Sequence, residues 1–510
     1  MLVCGWIAAP AGLNPLTSVS SASTMTEDLI YSRVVELGAD MLPRWPTSFA
    51  SKIDVGEGGK RYVLHVRRNA RWPDGVPITA DDVVFSIALT ANPVLFAGRS
   101  SDFALMTSVR KTAPYTVEIR LKSPSPPFLV NALSEAYILP KHILGKFPAG
   151  SPEEAKFVNA DAAFAQHPME SGAFRIERTV PDSYMVLAPN PVYWGPKPHL
   201  QKIAFRVYPQ QDSLYAAVDA GEVDVTDIPP NLWRVHARLR GEHKAVTWPW
   251  NVTFLLLPNF RDPNIPFIHE RAVRQAMLYA IDRKFIVRGI MSGQADILNG
   301  PIPSFSPYYD PKVMKYPYDP ARARALLDAN GWKMRDGVRT KNGKALRFTL
   351  KTGGASDAVA SNVAELVQAD LRAVGIDCTL DNEEIQTFFA DLHASKFQIA
   401  LRGVILNAYP DDYQTYDSSQ THANGGYNIG FYDNPQVDRA IVAARTAANP
   451  RAARVALNRY QELAAQDLPG MFLFSNRLGA ILPKGLSGYD LTPIAPAALP
   501  MGLQFWRLRK

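Results

Sequence analysis

The spacing of apolar residues along the chain switches between two periods, most clearly between Arg61 and Leu89. Tyr62, Leu64 and Val66 alternate with polar neighbours and predict a half-buried strand, whereas Val83, Val84, Ile87 and Ala88 fall at helical spacing and predict a helix with one apolar face. Between them, Pro73 and the Asp74-Gly75 pair supply a tight turn. Thr79 stands where it can cap the helix, and Asp81 and Asp82 occupy its first turn, where the helix dipole favours negative charge.

Residues 1–7 predict a short strand and Leu13-Asn14-Pro15-Leu16 a turn. Ser18, Ser20, Ser21, Ser23 and Thr24 then predict a polar loop before a helix from about Thr26. Thr116 to Leu121 alternates as a strand, and Pro124, Pro126 and Pro127 forbid a regular element, leaving helices and loops to about Pro168. Beyond Gly172 strands dominate. Ile203 to Val207, a helix from Asp212 to Ala220 stopped by Gly221, and Val223 to Val225 form a β-α-β unit, so its two strands are expected to pair in parallel.

After the prolines from Pro258 to Pro266, Val273, Ala276, Met277, Ala280 and Ile281 mark an amphipathic helix, and Asp319-Pro320 starts another that Asn330-Gly331 ends. A second β-α-β unit uses Arg347 to Leu350, a helix with Val363, Leu366, Val367, Leu371 and Val374 on one face, and Ile376 to Leu380. Phe397 to Leu401 adds a strand, residues 436–446 and 452–465 add helices, and the last strands are placed near Phe472 and Phe505. Two α/β regions emerge, about 160–255 and 265–470, behind a mixed region.

A chain of 510 residues exceeds what one core fills, so two or three domains are expected. The formal charge of +7 is scattered rather than gathered into a basic stripe with interleaved aromatics, which argues against a nucleic-acid groove. Two cysteines, Cys4 and Cys378, exclude a disulfide framework and a cysteine-built zinc site, and predict buried free thiols. No run of about 18 apolar residues suggests a membrane span. An export signal is not expected in this numbering.

Patterns whose spacing chemistry dictates are scarce. Gly56 to Lys60 lacks the spacing and hydroxyl of a phosphate loop and reads as a hairpin turn. His269-Glu270 has no second histidine one helical turn on, which a zinc protease needs. Asp411-Asp412 follows Pro410, and a turn role outweighs ligand contact there.

Trp72-Pro73-Asp74-Gly75-Val76-Pro77-Ile78-Thr79-Ala80-Asp81-Asp82-Val83 closely resembles the signature of the family 5 extracellular solute-binding proteins, the peptide, nickel and opine receptors of bacterial ABC importers. Further segments agree in order: Leu13-Asn14-Pro15, Ser171 to Phe174, Asn190 to Trp194, Ala272 to Ala276 with Ala280 to Arg283, Tyr318-Asp319-Pro320, Asn330-Gly331-Trp332, Asp370-Leu371 with Val374 to Ile376, and Tyr432 to Pro435. The resemblance implies an α/β, two-lobed Venus flytrap with a hinge. Lobe I would comprise 1–32, 165–258 and 476–510, and lobe II 259–475. An extra α+β domain at 33–164 would pack on lobe I and contribute little to the pocket.

It also implies a monomeric periplasmic receptor with no cofactor, delivering a peptide, opine or similar polar solute to permease subunits. An enzyme, such as a hydrolase, or a sensor on the same fold is the rival. The main ligand strand would be Phe397 to Asn407. Peptide receptors of the family typically place an aromatic residue after the glycine of this strand and, three residues on, an aspartate for the peptide's amino group. Here Val404 follows Gly403, and Asn407 brings no charge. Arg402 could hold a carboxylate or a phosphate, Trp248, Trp250 and Tyr427 could form walls, and Ser20 and Ser23 could offer hydroxyls.

Overall fold

The computed structural model describes every residue except 11, 19, 94, 96–100, 149, 161, 238–241, 356, 425, 495–501, 509 and 510. Strand β1 (Leu2–Trp6) and helix α1 (Ser21–Ile30) open the chain. Helix α1 starts five residues earlier than Thr26, because Ser20 caps it: its hydroxyl accepts from the Ser23 amide. The serine run is a helix start rather than a loop.

Strands β2 (Ala50–Gly56), β3 (Arg61–Val66), β4 (Met106–Ala113) and β5 (Thr116–Leu121) form the extra domain's antiparallel sheet in the order β2-β3-β5-β4. Helix α2 (Ala80–Thr90) packs on it with a reciprocal cap, the Thr79 hydroxyl accepting from the Asp81 amide while the Asp82 carboxylate accepts from the Thr79 amide. Gly56 to Lys60 is the expected hairpin connection.

Strands β6 (Phe174–Val180), β7 (Tyr184–Pro189) and β8 (Ile203–Val207) complete a lobe I sheet ordered β1-β8-β7-β6. The expected pairing of β8 with Val223 to Val225 does not occur. β1 lies between them, parallel to β8, and the Val3 carbonyl accepts from the Asp224 and Val225 amides. The crossover skips one place, which the first strand of the chain fills.

A seven-stranded sheet links the lobes. Its strands are β9 (Thr226–Asp227), β10 (His243–Pro258), β11 (Ala295–Ile297), and, after a small three-stranded sheet of β12 (Lys333–Arg335), β13 (Val338–Lys341) and β14 (Lys344–Ala345), β15 (Arg347–Thr352), β16 (Asp377–Asn382), β17 (Ile399–Ile405) and β18 (Met471–Pro483). The second β-α-β unit is as expected: β15 and β16 pair in parallel around the helix Ala358–Arg372.

Antiparallel β10 and β18 run through both lobes. One end of β18 pairs with β9 and the other with β11. Trp248 lies in the lobe I core, whereas Leu255, Leu256 and Leu257 lie in the core shared with residues up to Phe474. The chain thus passes between cores inside β10, ahead of the expected division at 258. Near the C-terminus, Leu503 to Phe505 is a short 3-10 turn, and the last strand, Arg507–Leu508, pairs with Leu486–Ser487. Both cysteines are buried and free, and burial pushes the Cys378 thiol up to about 12.

At the junction of the N-terminal segment with lobe I, the Gly172 amide donates to the Ile30 carbonyl, and an added Cβ there would stand 2.5 Å from the Leu29 oxygen. Backbone cannot yield as a flexible side chain can. Gly172→Ala is expected to cost about 1–3 kcal/mol, and a thermal melt matching wild type would show that the junction relaxes instead.

Candidate functional site

A cavity of about 220 Å³ lies between the lobes. Its walls come from α1 and the chain just after it, the extra domain's 130–135 turn, Trp250 to Val252 of β10, residues 405–408 at the end of β17, and Ile494.

The first wall centres on Arg33. Its guanidinium reaches Asp28 at 2.6 Å, donates to the Ser134 carbonyl and lies 4.1 Å over the Tyr137 ring, while the Tyr137 hydroxyl donates to Asp28 at 2.6 Å. Charge-assisted bonds and a ring face together fix this side chain. Burial works against its charge, but Asp28, then Tyr137 and Glu135, outweigh it and hold the proton above the ordinary arginine range. Glu135 lies at 4.0 Å from the same guanidinium. Burial also pushes the Glu36 carboxyl up, against hydrogen bonding from Thr47 and the charge of Arg44.

The hinge-side wall follows from a break in the β10–β18 ladder. Pairing runs to Pro249↔Arg477, shifts register, and resumes at Thr253↔Ser475. Pro249 has no amide hydrogen to offer a ladder. The freed Asn251 turns to other partners. Its amide donates to Pro493 O at 2.9 Å, and its carbonyl and carboxamide form a reciprocal pair with Leu406, 2.8 Å from the Leu406 amide and 2.6 Å to the Leu406 carbonyl.

Of the residues expected to bind ligand, Asn407 and Trp250 line this cavity. Gly403 and Val404 lie outside its lining, paired within β17 against Phe254 and Thr253. Arg402 also lies outside it. It pairs opposite Leu255 near the Tyr416 phenol, burial lowers its pKa, and its Nε is buried without a hydrogen-bond partner among the described residues. Tyr427 is exposed on lobe II, its amide bonded to Gln414 O. Ser20 and Ser23 bond each other at 2.8 Å. Trp248 is core, its indole N–H donating to Thr492 O.

Asp28, Arg33, Glu135 and Asn251 were not singled out by sequence reasoning. Only the Asp28–Arg33 pair, five residues apart beyond a capped helix, carries any local signal. Among the described residues no group of three His, Cys, Asp or Glu is arranged to hold a metal ion.

The family model for bacterial extracellular solute-binding proteins, family 5 Middle, matches residues 46–427. The chain belongs to this family. This family 5 receptor is 28% identical over 498 residues to the oligopeptide-binding protein AppA of Bacillus subtilis, covering 96% of this chain and 89% of that one. It is 26% identical to the nickel-binding periplasmic protein of Escherichia coli, covering 85% and 81%. Among solved structures, AppA of Bacillus subtilis in complex with a nonapeptide superposes with a TM-score of 0.79 at 28% identity, covering 100% of this chain and 99% of that one. NikA of Brucella suis in complex with Fe(III)-EDTA shares the fold, with a TM-score of 0.83 at 22% identity and coverage of 100% and 99%. Two lobes and an extra domain are the architecture of an extracytoplasmic solute receptor serving an ABC permease.

The loop that carries Asn407 is anchored by the adjacent aspartates. Asp411 pairs with Arg445 at 2.6 Å, and Asp412 accepts from the Tyr460 hydroxyl at 2.6 Å. Asp411 also accepts from the Tyr413 amide and neither aspartate lines the cavity, so the pair has the expected turn role with its side chains buried as anchors. Burial pushes Asp412 up to about 7, with the Tyr460 bond opposing and the Asp411 charge adding to it. Unfolded, this carboxyl would titrate near ~3.9. The folded state therefore binds the extra proton between these values, and its stability falls as pH rises through that window. Asp412→Asn is expected to shrink the loss of melting temperature between pH 5 and pH 8; an unchanged difference would count against this titration.

Proposed function

We propose that this receptor captures a small polar solute bearing an amino group, peptide-like or opine-like, and encloses it in the interlobe cavity. The observation that carries this reading is the charge of the walls: three carboxylates, Asp28, Glu36 and Glu135, against one guanidinium, Arg33. Arg33 bonds Asp28 and also lies 4.0 Å from Glu135, so one guanidinium is shared among the carboxylates and the walls as a whole stay acidic, which suits a ligand cation. An ammonium group needs such a partner when it leaves water, and Asn407 cannot be that partner. Glu135, from the extra domain, takes the role, with Asn407 contributing a neutral hydrogen bond and Trp250 an apolar wall.

The cavity is smaller than the ~300–1,000 Å³ of common ligand pockets, which favours a solute the size of a short peptide or amino-acid conjugate. Relatives named for oligopeptides and for nickel support peptide or chelate chemistry. Among the described residues the lining contains no His or Cys, so a metal would arrive with its own chelator. Closure around the solute makes its contacts complete only in the closed state.

Titration calorimetry on protein stripped of ligand by unfolding and refolding tests this with dipeptides, opines and a nickel–histidine chelate. At least one amine-bearing solute is expected to bind, with Asn407→Ala and Glu135→Gln each weakening it about tenfold or more, as loss of one bond to a charged group would. Binding by none of them, or unchanged affinity in both variants, sinks the reading.

A further inference from the structure

We infer that Asn131 of the extra domain clasps lobe II and is a positioning residue for the binding site. The Asn131 carboxamide nitrogen donates to the Tyr409 carbonyl at 3.0 Å, and the Tyr409 amide donates to the Asn131 carboxamide oxygen at 3.0 Å. One side chain thus offers a backbone segment the same two complementary bonds that a neighbouring strand would. Both residues are almost wholly buried, at 4% and 2% exposure.

Each partner is held in place by further contacts of its own segment. Asn131 sits in the single wide helical turn Phe128–Ala132, where the Ser134 hydroxyl donates back to the Val130 carbonyl, and Phe128, Val130 and Ala132 belong to the extra domain's core. Tyr409 donates its hydroxyl to the Ala444 carbonyl and packs edge-on against Tyr308, 4.9 Å between ring centres. Around this contact the extra domain's core continues into lobe II through Ile302, Ala408 and Leu457. The domain that the sequence assigned to lobe I alone therefore touches both lobes.

The clasp lies beside the cavity. Asn131 and Ala408 both line it, and Asn407, two residues before Tyr409, enters it. When lobe II swings away the clasp must part, and its four polar groups exchange one another for water. The reciprocal pair therefore biases the equilibrium toward closure and fixes where Asn407 comes to rest. This goes beyond the ligand reading above and holds whichever solute is captured.

The test is a distance distribution between spin labels on the full-length, ligand-stripped chain. Val55→Cys on the extra domain and Val455→Cys on lobe II, 52% and 65% exposed, take the labels, while native Cys4 and Cys378 are buried. The parent is expected to populate a short-distance closed state. Asn131→Ala is expected to lower its closed-to-open ratio about tenfold or more, in line with two lost hydrogen bonds. Asn131→Asp keeps the shape and the acceptor but has no N–H for the Tyr409 carbonyl, and is expected to move the same way with an unchanged melting temperature. A distribution in both variants that superimposes on the parent's, or a parent with no closed population, overturns the proposal. Calorimetry of the ligand panel is a separate measurement, so failure here is distinguishable from failure of the ligand reading.

Discussion

The β10–β18 ladder is the constraint on which the architecture depends. Two lobes with separate cores share one pair of hydrogen-bonded strands, so they cannot come apart without breaking a sheet that both need. The same pair loses its register between Pro249 and Thr253. A continuous ladder would leave no gap here, and the interruption leaves Trp250, Asn251 and Val252 without partners in β18. These residues also form a wall of the cavity, so the break in the shared ladder and the pocket are one place.

Around that break the site is assembled from chain segments far apart in sequence, from Thr24 to Ile494. Asp28, Arg33 and Tyr137 form a mutually bonded post that Ser134 holds from the extra domain. Lobe II brings Asn407 on a loop that Asp411 and Asp412 anchor from behind. The extra domain is a third wall rather than an appendage, since its 130–135 turn reaches both the cavity and lobe II.

Legibility in the sequence followed the range of the interactions. The helix after Thr79 and the 347–380 unit were readable because turn, cap and apolar period are written within a few residues. The neighbour of β8 was not, because the residues that decide which strand fills the gap are those of β1, two hundred positions away. Asn407 and Trp250 were reachable through the resemblance. Arg402 and Asn407 were read together as ligand contacts, although alternation along the strand puts Arg402 on the face opposite positions 403 and 405, a signal the sequence reading did not use. Glu135 and Asn131 left no local trace, since a carboxylate or an amide in a proline-bounded stretch looks like any loop residue until the lobes meet. Ser20 and Ser23 looked like free hydroxyls and were occupied by capping.

Walls drawn from five separate segments also mean that no one stretch of chain dictates the pocket. A substitution in one wall leaves the others, and the shared ladder, in their places. Selectivity can drift by small independent steps while the shared ladder and the two-lobed frame persist.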